Sequence, residues 1–264
     1  MKPVKLEKSD RALTIVLDSP TNRNAISTDL IAGIRDGLKR ASDDANIRAV
    51  VLTHTGNTFC AGADLSVKAR DSAGQSAGPT LSPLEAQQES GRQMVALLDE
   101  MLSCRIPIVG LIKGHVRAGG MGLVAACDIA VSTPSASYGL SEVRIGVVAA
   151  IVSAVIRERI GDRTASDWFL TGRKVSASEA AAAGFVTAVS EDAQMTIDEL
   201  LAHLWKGAPT AVRRTKLMLN RQIRNRLGSE ADELLALSAE FFLSEEAAAG
   251  MKAFRDKQSP PWAR

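Results

Sequence analysis

The sequence is poor in the features that would commit it early to a class. It has three cysteines, Cys60, Cys104 and Cys127, at spacings that fit no metal-ligand pattern. An odd number without such spacing points to reduced thiols in a cytoplasmic protein rather than a disulfide framework. Long hydrophobic runs are missing. The longest, Gly146–Ile156, is eleven residues with Ser153 inside it, too short to cross a bilayer. Met1–Asp10 is charged and lacks the apolar core of a secretion signal. Net charge is nearly absent as well: 32 Lys+Arg against 30 Asp+Glu leave +2, which gives no ground for a nucleic-acid or membrane partner. No Gly-Lys-Ser/Thr follows a glycine loop, no Gly-x-Gly-x-x-Gly occurs, and no internal repeat is visible.

What is present is an ordinary globular composition, 45% hydrophobic and 23% charged, over 264 residues. That suffices for a sizeable core without disulfides or metals. Val4–Lys8 and Ala12–Asp18 read as strands, and Ser27 as the N-cap of a helix running to about Asp43. Arg48–Thr53, Pro107–Lys113 and Asp128–Ser132 read as further strands. His54–Leu65 reads as a loop, and Leu123–Ala126 as a helix. The Ser/Ala/Gly-rich segment from Val67 predicts a mobile loop that turns helical near Pro83 and stays so to Ser103. From Ile151 on, the pattern is helical almost throughout, broken near Gly161, Gly172, Gly184, Gly207 and Gly228. The organisation predicted is an α/β core over residues 1–200 and a helical subdomain over 201–264.

Two loops place glycine beside apolar strands: Phe59-Cys60-Ala61-Gly62-Ala63-Asp64-Leu65 and Arg117-Ala118-Gly119-Gly120-Met121-Gly122. Glycine allows close approach of backbone to ligand, and the second loop opens a helix whose first amides favour negative charge. Two N–H donors converging on one oxygen would form an oxyanion hole. Glycine-rich turns are common and most bind nothing, so neither loop assigns a function by itself.

Together with their neighbours, these residues resemble the crotonase, or enoyl-CoA hydratase/isomerase, superfamily. The two loops are similar to its oxyanion segments, and Tyr138–Gly146 to the segment carrying a catalytic glutamate, here Glu142. Asn22–Ser27, Leu170–Arg173, Glu179–Val186 and Glu246–Lys257 resemble further family segments in the same order. The resemblance implies a spiral of repeated ββα units with a C-terminal helical region that packs between subunits of a homotrimer or hexamer. It implies an acyl-CoA substrate, with coenzyme A as part of that substrate and no separate cofactor or metal. By position it implies oxyanion donors at Ala63 and Gly119. Ala25, Ala61, Asp64 and Leu65 would hold CoA, with Phe254 and Lys257 approaching it, in relatives often from a neighbouring subunit.

Removing an α-proton from a thioester, or adding a nucleophile at its β-carbon, puts negative charge on the thioester oxygen. Two preorganised donors stabilise that charge by roughly 3 kcal/mol each, and one carboxyl can then move the protons. The best-known hydratases of the family use two glutamates; here the first of those positions is Gly122. Three reactions stay open: hydration of a 2-enoyl-CoA by a single glutamate, Δ3,Δ2-enoyl-CoA isomerisation, and another crotonase reaction such as thioester hydrolysis. Likeness to bacterial methylglutaconyl-CoA-type hydratases, which share the glycine, places hydration first. His115, Arg117, Gly122 and Val148 are candidates for the acyl pocket; Val148 lies where many relatives carry Pro-Gly. A catalytically weak acyl-CoA-binding protein is the rival reading. The run Arg213, Arg214, Lys216, Arg221, Arg224 and Arg226 carries no acid among its cations. A solvated face, or steering of CoA phosphates, accounts for it better than RNA binding.

Overall fold

A computed structural model describes residues 2–64 and 81–263. Strands β1 (Val4–Lys8) and β2 (Ala12–Leu17) pair antiparallel. After helix α1 (Thr28–Asp43) the ladder turns parallel through β3 (Ala49–His54), β5 (Ile108–Ile112), β7 (Ile129–Ser132) and β10 (Ala188–Val189). The sheet order is β1-β2-β3-β5-β7-β10. Both faces of this sheet are covered, and for that reason every residue of β3 and β5 is buried. One face carries the main core with α1, α2 (Pro83–Ser103), α3 (Gly119–Ala126), α4 (Ala150–Ile156) and α9 (Arg221–Phe242). On the other, Val51, Val109, Leu111 and Val131 pack against Ile197 and Leu201 of α7 (Ala193–Lys206).

Strands β3, β5 and β7 are each followed by a short second strand: β4 (Thr58–Cys60), β6 (His115–Val116) and β8 (Ser137–Tyr138). β4 pairs parallel with β6, and β8 pairs antiparallel with β9 (Val175–Ser176). The strand–strand–helix unit implied by the resemblance is thus present, though its copies share no sequence. Helices α5 (Asp162–Thr171), α6 (Ala177–Ala182), α8 (Pro209–Leu219) and α10 (Glu245–Arg255) complete the α-helices among the described residues. Ile223, Leu227 and Leu234 of α9 belong to the main core, so α9 lies on the chain's own core.

Local sequence explains the boundaries. The Ser27 hydroxyl accepts the Leu30 N–H at 3.2 Å and starts α1. A capping box of Ser82 and Glu85, with Pro83 in the first turn, starts α2. Two expectations need correction. The His54–Leu65 loop contains β4. Helix α3 begins at Gly119, four residues before Leu123. The breaks expected near Gly172 and Gly184 in the helical stretch hold strands, β9 and β10. Strands of two or three residues are too short to show an alternation. The loop expected from Val67 falls largely outside the described residues.

Candidate active site

The two glycine loops meet. Arg117 N–H donates to Cys60 C=O at 2.9 Å, continuing the β4–β6 pairing. Gly62 has φ +89, and a Cβ there would stand 2.6 Å from the Ala118 Cβ and 3.5 Å from Gly119 N. Gly120 lies on Cys60 in the same way, with a built Cβ 2.7 Å from the Cys60 Cβ. Only glycine lets these backbones touch.

The position of Ala63 follows from its ladder. Ile26 N–H donates to Gly62 C=O at 2.8 Å, and Asp64 N–H to Ile26 C=O at 3.3 Å. Neighbouring amides of an extended chain point to opposite sides, so the Ala63 N–H faces away from Ile26. Gly119 is the first residue of α3, where an N–H has no partner within the helix. Its peptide is oriented by Ala118, which holds φ 50 and ψ −125. That conformation suits glycine; an alanine there stores about 1–3 kcal/mol of strain.

Glu142 sits in the 3-10 helix Ser141–Ile145 and is 8% exposed. Among the described residues its Oε2 is buried with no hydrogen-bond partner. Burial pushes the carboxyl up to about 7, opposed by its own backbone N–H. The segment before it is sewn to the second glycine loop. Ala118 N–H donates to Gly139 C=O at 3.0 Å. Arg117 donates to Val116 C=O, Ser137 C=O and Ser137 Oγ at 2.7–2.8 Å. His115 Nδ1 lies 2.9 Å from Ser137 Oγ.

The structure therefore brings Ala61, Ala63, Gly119 and the root of the Glu142 segment together. Ala25 and Asp64 join them: the Asn22–Ile26 turn is tied to Ala61–Asp64, with Ala61 N–H donating to Arg23 C=O at 3.1 Å. Leu65 lies outside the described residues. The guanidinium of Arg117 is turned into the protein, where it ties β6 to β8; His115 is held by the same serine. Val148 is half-buried against the main core. Phe254 and Lys257 stand at the exposed end of α10, Phe254 at 60% exposure. α10 itself packs on the 3-10 helix and on α9.

Gly122 is closed in: a Cβ there would stand 2.7 Å from Val152 Cγ1 and 3.3 Å from Met94 Cε. Met94 and Ile26 also flank Gly119. Sequence reasoning did not single out these three residues, because nothing local distinguishes them from other core positions. It also missed Asn24, fully buried at φ 53, whose side chain accepts Ser19 N–H and donates to Thr55 and Thr58 C=O. All three cysteines are buried, with the Cys60 and Cys127 thiols pushed up to about 12 by burial. Among the described residues no group of His, Cys, Asp or Glu is placed to hold a metal, and no helix is long and apolar enough to cross a membrane.

Half of the basic run pairs with acids distant in sequence. Lys216 is buried and pairs with Asp128 at 2.8 Å, Arg224 with Asp99 at 2.9 Å, and Arg226 with Glu158 at 3.0 Å. Arg214 and Arg221 are exposed, as a solvated face requires, whereas Lys216 belongs to the interior.

The enoyl-CoA hydratase/isomerase family matches residues 7–264. A Thermus thermophilus protein provisionally named an enoyl-CoA hydratase is 33% identical over 97% of this chain and 99% of its own. The crystal structure of an enoyl-CoA hydratase from Mycobacterium avium is 39% identical, covers 98% of each chain and superposes with a TM-score of 0.89. The cyclohexa-1,5-dienecarbonyl-CoA hydratase of Thauera aromatica is 28% identical over 97% of this chain and 95% of its own. With its two glycine loops in contact and a buried glutamate set on that fold, this chain belongs to the enoyl-CoA hydratase/isomerase family.

Proposed function

We propose that the protein adds water to a 2-enoyl-CoA, with Glu142 as its one acid–base group and the Ala63 and Gly119 amides receiving the thioester oxygen. The observation that carries this reading is the Glu142 carboxyl, buried with an unpartnered oxygen and raised to about 7 with no charged side chain acting on it. A carboxyl in that state exchanges protons readily at neutral pH. Each relative named above is a hydratase by name, which favours hydration over isomerisation.

In the proposed reaction the Glu142 carboxylate takes a proton from water as the water oxygen bonds to Cβ. The π electrons pass to Cα and the thioester oxygen, where two amides stabilise the enolate by roughly 3 kcal/mol each. The Glu142 carboxylic acid then gives its proton to Cα, which restores the carboxylate. Ala25, Ala61 and Asp64 would hold CoA beside the loops, and Gly122 with Val148 would shape the acyl pocket. His115 and Arg117 would act on that pocket only through Ser137. We also expect a cytoplasmic homotrimer or hexamer; the exposure of Met218, Leu219 and Phe254 on the C-terminal helices supports self-association.

One observation favours a second reading. The crowding of Gly122 leaves room for only one carboxyl, and a single base suffices to carry a proton from C2 to C4 of a 3-enoyl-CoA. The test offers crotonyl-, 3-enoyl- and 3-methylglutaconyl-CoA to wild type and Glu142→Gln, following water incorporation and double-bond migration separately. Hydration of a 2-enoyl-CoA that falls at least ~10²-fold in Glu142→Gln, with acyl-CoA binding kept, is expected. Migration without water uptake would establish the isomerase. Binding without turnover of any of the three would mark a catalytically weak acyl-CoA binder.

A further inference from the structure

The 3-10 helix that carries Glu142 is pressed against α10 by two glycines, one on each side. A Cβ on Gly250 of α10 would stand 2.5 Å from the Ile145 carbonyl carbon and 2.7 Å from Ile145 Cα. In return, Gly146 has φ +73, and a Cβ there would stand 2.6 Å from the Glu246 carbonyl carbon and 2.8 Å from Ala247 N. Backbone thus lies on backbone, with no side chain between to absorb a displacement. Around this contact Val147, Ala247 and Met251 close a small core separate from the main one, flanked by Ile145 and Phe242. Val147 N–H donates to the Glu142 carbonyl at 3.0 Å. A short rigid path therefore runs from α10 through Ile145 and Val147 to the peptide of Glu142.

We propose that Gly250 is a positioning residue: through its contact with Ile145, and that of Gly146 with Glu246, α10 fixes where the Glu142 carboxyl stands and shields it from bulk solvent. The proposal rests on the reading of Glu142 as the acid–base group. Charges on the surrounding elements are turned elsewhere. Arg144 on the 3-10 helix donates to Thr171 C=O, and Arg117 binds Ser137. On α10, Glu245 and Glu246 are exposed, Lys252 pairs with Asp256 at 2.6 Å, and Arg255 is exposed. On α5, Asp162 and Arg163 are exposed and Asp167 pairs with Arg173 at 2.7 Å. α3 and α4 carry no charged residue. Dryness, then, keeps the Glu142 carboxyl raised, and any movement that admits water lowers it.

The test is Gly250→Ala in the full chain. No rotamer relieves a Cβ that meets backbone, so one of the two elements must move. Expected are a kcat lower by ~10-fold or more with KM for the enoyl-CoA changed less than ~3-fold. The acidic midpoint of the kcat/KM profile should move from about 7 toward the ordinary carboxyl value of 4.5. If Gly250→Ala does not fold, Met251→Ala, which empties the space beneath Val147, should shift the midpoint the same way. Ile197→Ala, on the opposite face of the sheet, is the control: a lower Tm with kcat per folded molecule and midpoint unchanged. The proposal is overturned if the foldable clamp variant keeps the wild-type kcat and midpoint, or if Ile197→Ala moves both equally. Glu142→Gln run alongside separates the two levels. Full activity there removes Glu142 from the mechanism; an inactive Glu142→Gln with an unmoved Gly250→Ala profile removes only the positioning role.

Discussion

A carboxyl buried without a partner costs the folded protein free energy whenever it is ionised, and Glu142 is in that position. Its folded value near 7 lies above the unfolded value of 4.5. Between those limits the folded state binds the proton that the unfolded state has lost. The stability tied to this group is therefore full below about pH 4.5 and is lost as pH rises through 7. Glu142→Gln cannot ionise and escapes that loss. In denaturant unfolding, the stability difference between variant and wild type should move by about 3 kcal/mol in the variant's favour between pH 4 and pH 8. Parallel curves would show that the carboxyl is not held dry. The same residue then carries an instability and, in the proposed reaction, the proton transfer, a pairing common at active sites.

Among the elements, the decisive contact is between the two glycine loops, because it brings the Gly62–Ala63 segment against the start of α3 at Gly119. Gly62→Ala adds a methyl where φ is +89 and the Ala118 Cβ is already 2.6 Å away. The loops must part, and turnover should fall by on the order of 10², with acyl-CoA binding changed far less; an unaffected kcat would show that the loops do not form an oxyanion hole. His54 anchors the roots of both loops. Its Nε2 accepts the Lys113 N–H at 3.1 Å, and its Nδ1 lies 3.2 Å from Thr55 C=O. Burial lowers it to about 4 from 6.5. The unfolded chain takes up a proton below 6.5 that the folded chain refuses, so stability drops as pH falls from 6.5 through 4. This slope opposes that of Glu142 and is seen by difference: His54→Gln should lack it, with the gap measured by thermal unfolding between pH 7 and pH 4.

Much of this was legible in the sequence, for identifiable reasons. Strand β1 and helix α2 match their predicted limits, because apolar Val4 and Leu6 alternating with charged residues mark the first and Ser82-Pro83 with Glu85 the second. The candidate site was legible only where its residues are glycines or an acid within a motif. Met94, Val152 and Ile26 were not, since they reach the loops from α2, α4 and the Asn22–Ile26 turn, and a side chain that arrives across the fold leaves no local pattern. Asn24 hid its role for the same reason: its partners at Thr55 and Thr58 are some thirty positions on.

Across the whole molecule, the question is what holds the C-terminal helices on the core that carries the site. Ile223, Leu227 and Leu234 of α9 pack into the main core, and a buried polar knot ties the same region to α2 and β7. Lys216 Nζ donates to Met101 C=O at 3.1 Å and Ile106 C=O at 3.0 Å, and pairs with Asp128 at 2.8 Å. Asn220 Nδ2 donates to Leu102 C=O at 3.2 Å and to Asp128 Oδ1 at 2.9 Å. One lysine and one asparagine thus satisfy two carbonyls in the last turn of α2 and that of Ile106 beyond it, and they reach Asp128 at the start of β7, which also receives the Ile108 N–H at 2.7 Å. All three donors of Lys216 are used, which is why a cation can be 4% exposed. Lys216→Met fits the space but leaves two carbonyls and a partly buried carboxylate without their partner, and should destabilise the protein by about 3 kcal/mol. Asp128→Asn in the Lys216→Met background should cost much less than Asp128→Asn alone, since the uncompensated charge is already present. Hydrogen exchange in Lys216→Met should rise first over residues 209–263 while β3 and β5 stay protected. Uniform loss of protection would mean that the C-terminal helices and the sheet unfold as one unit and that the knot has no separate anchoring role.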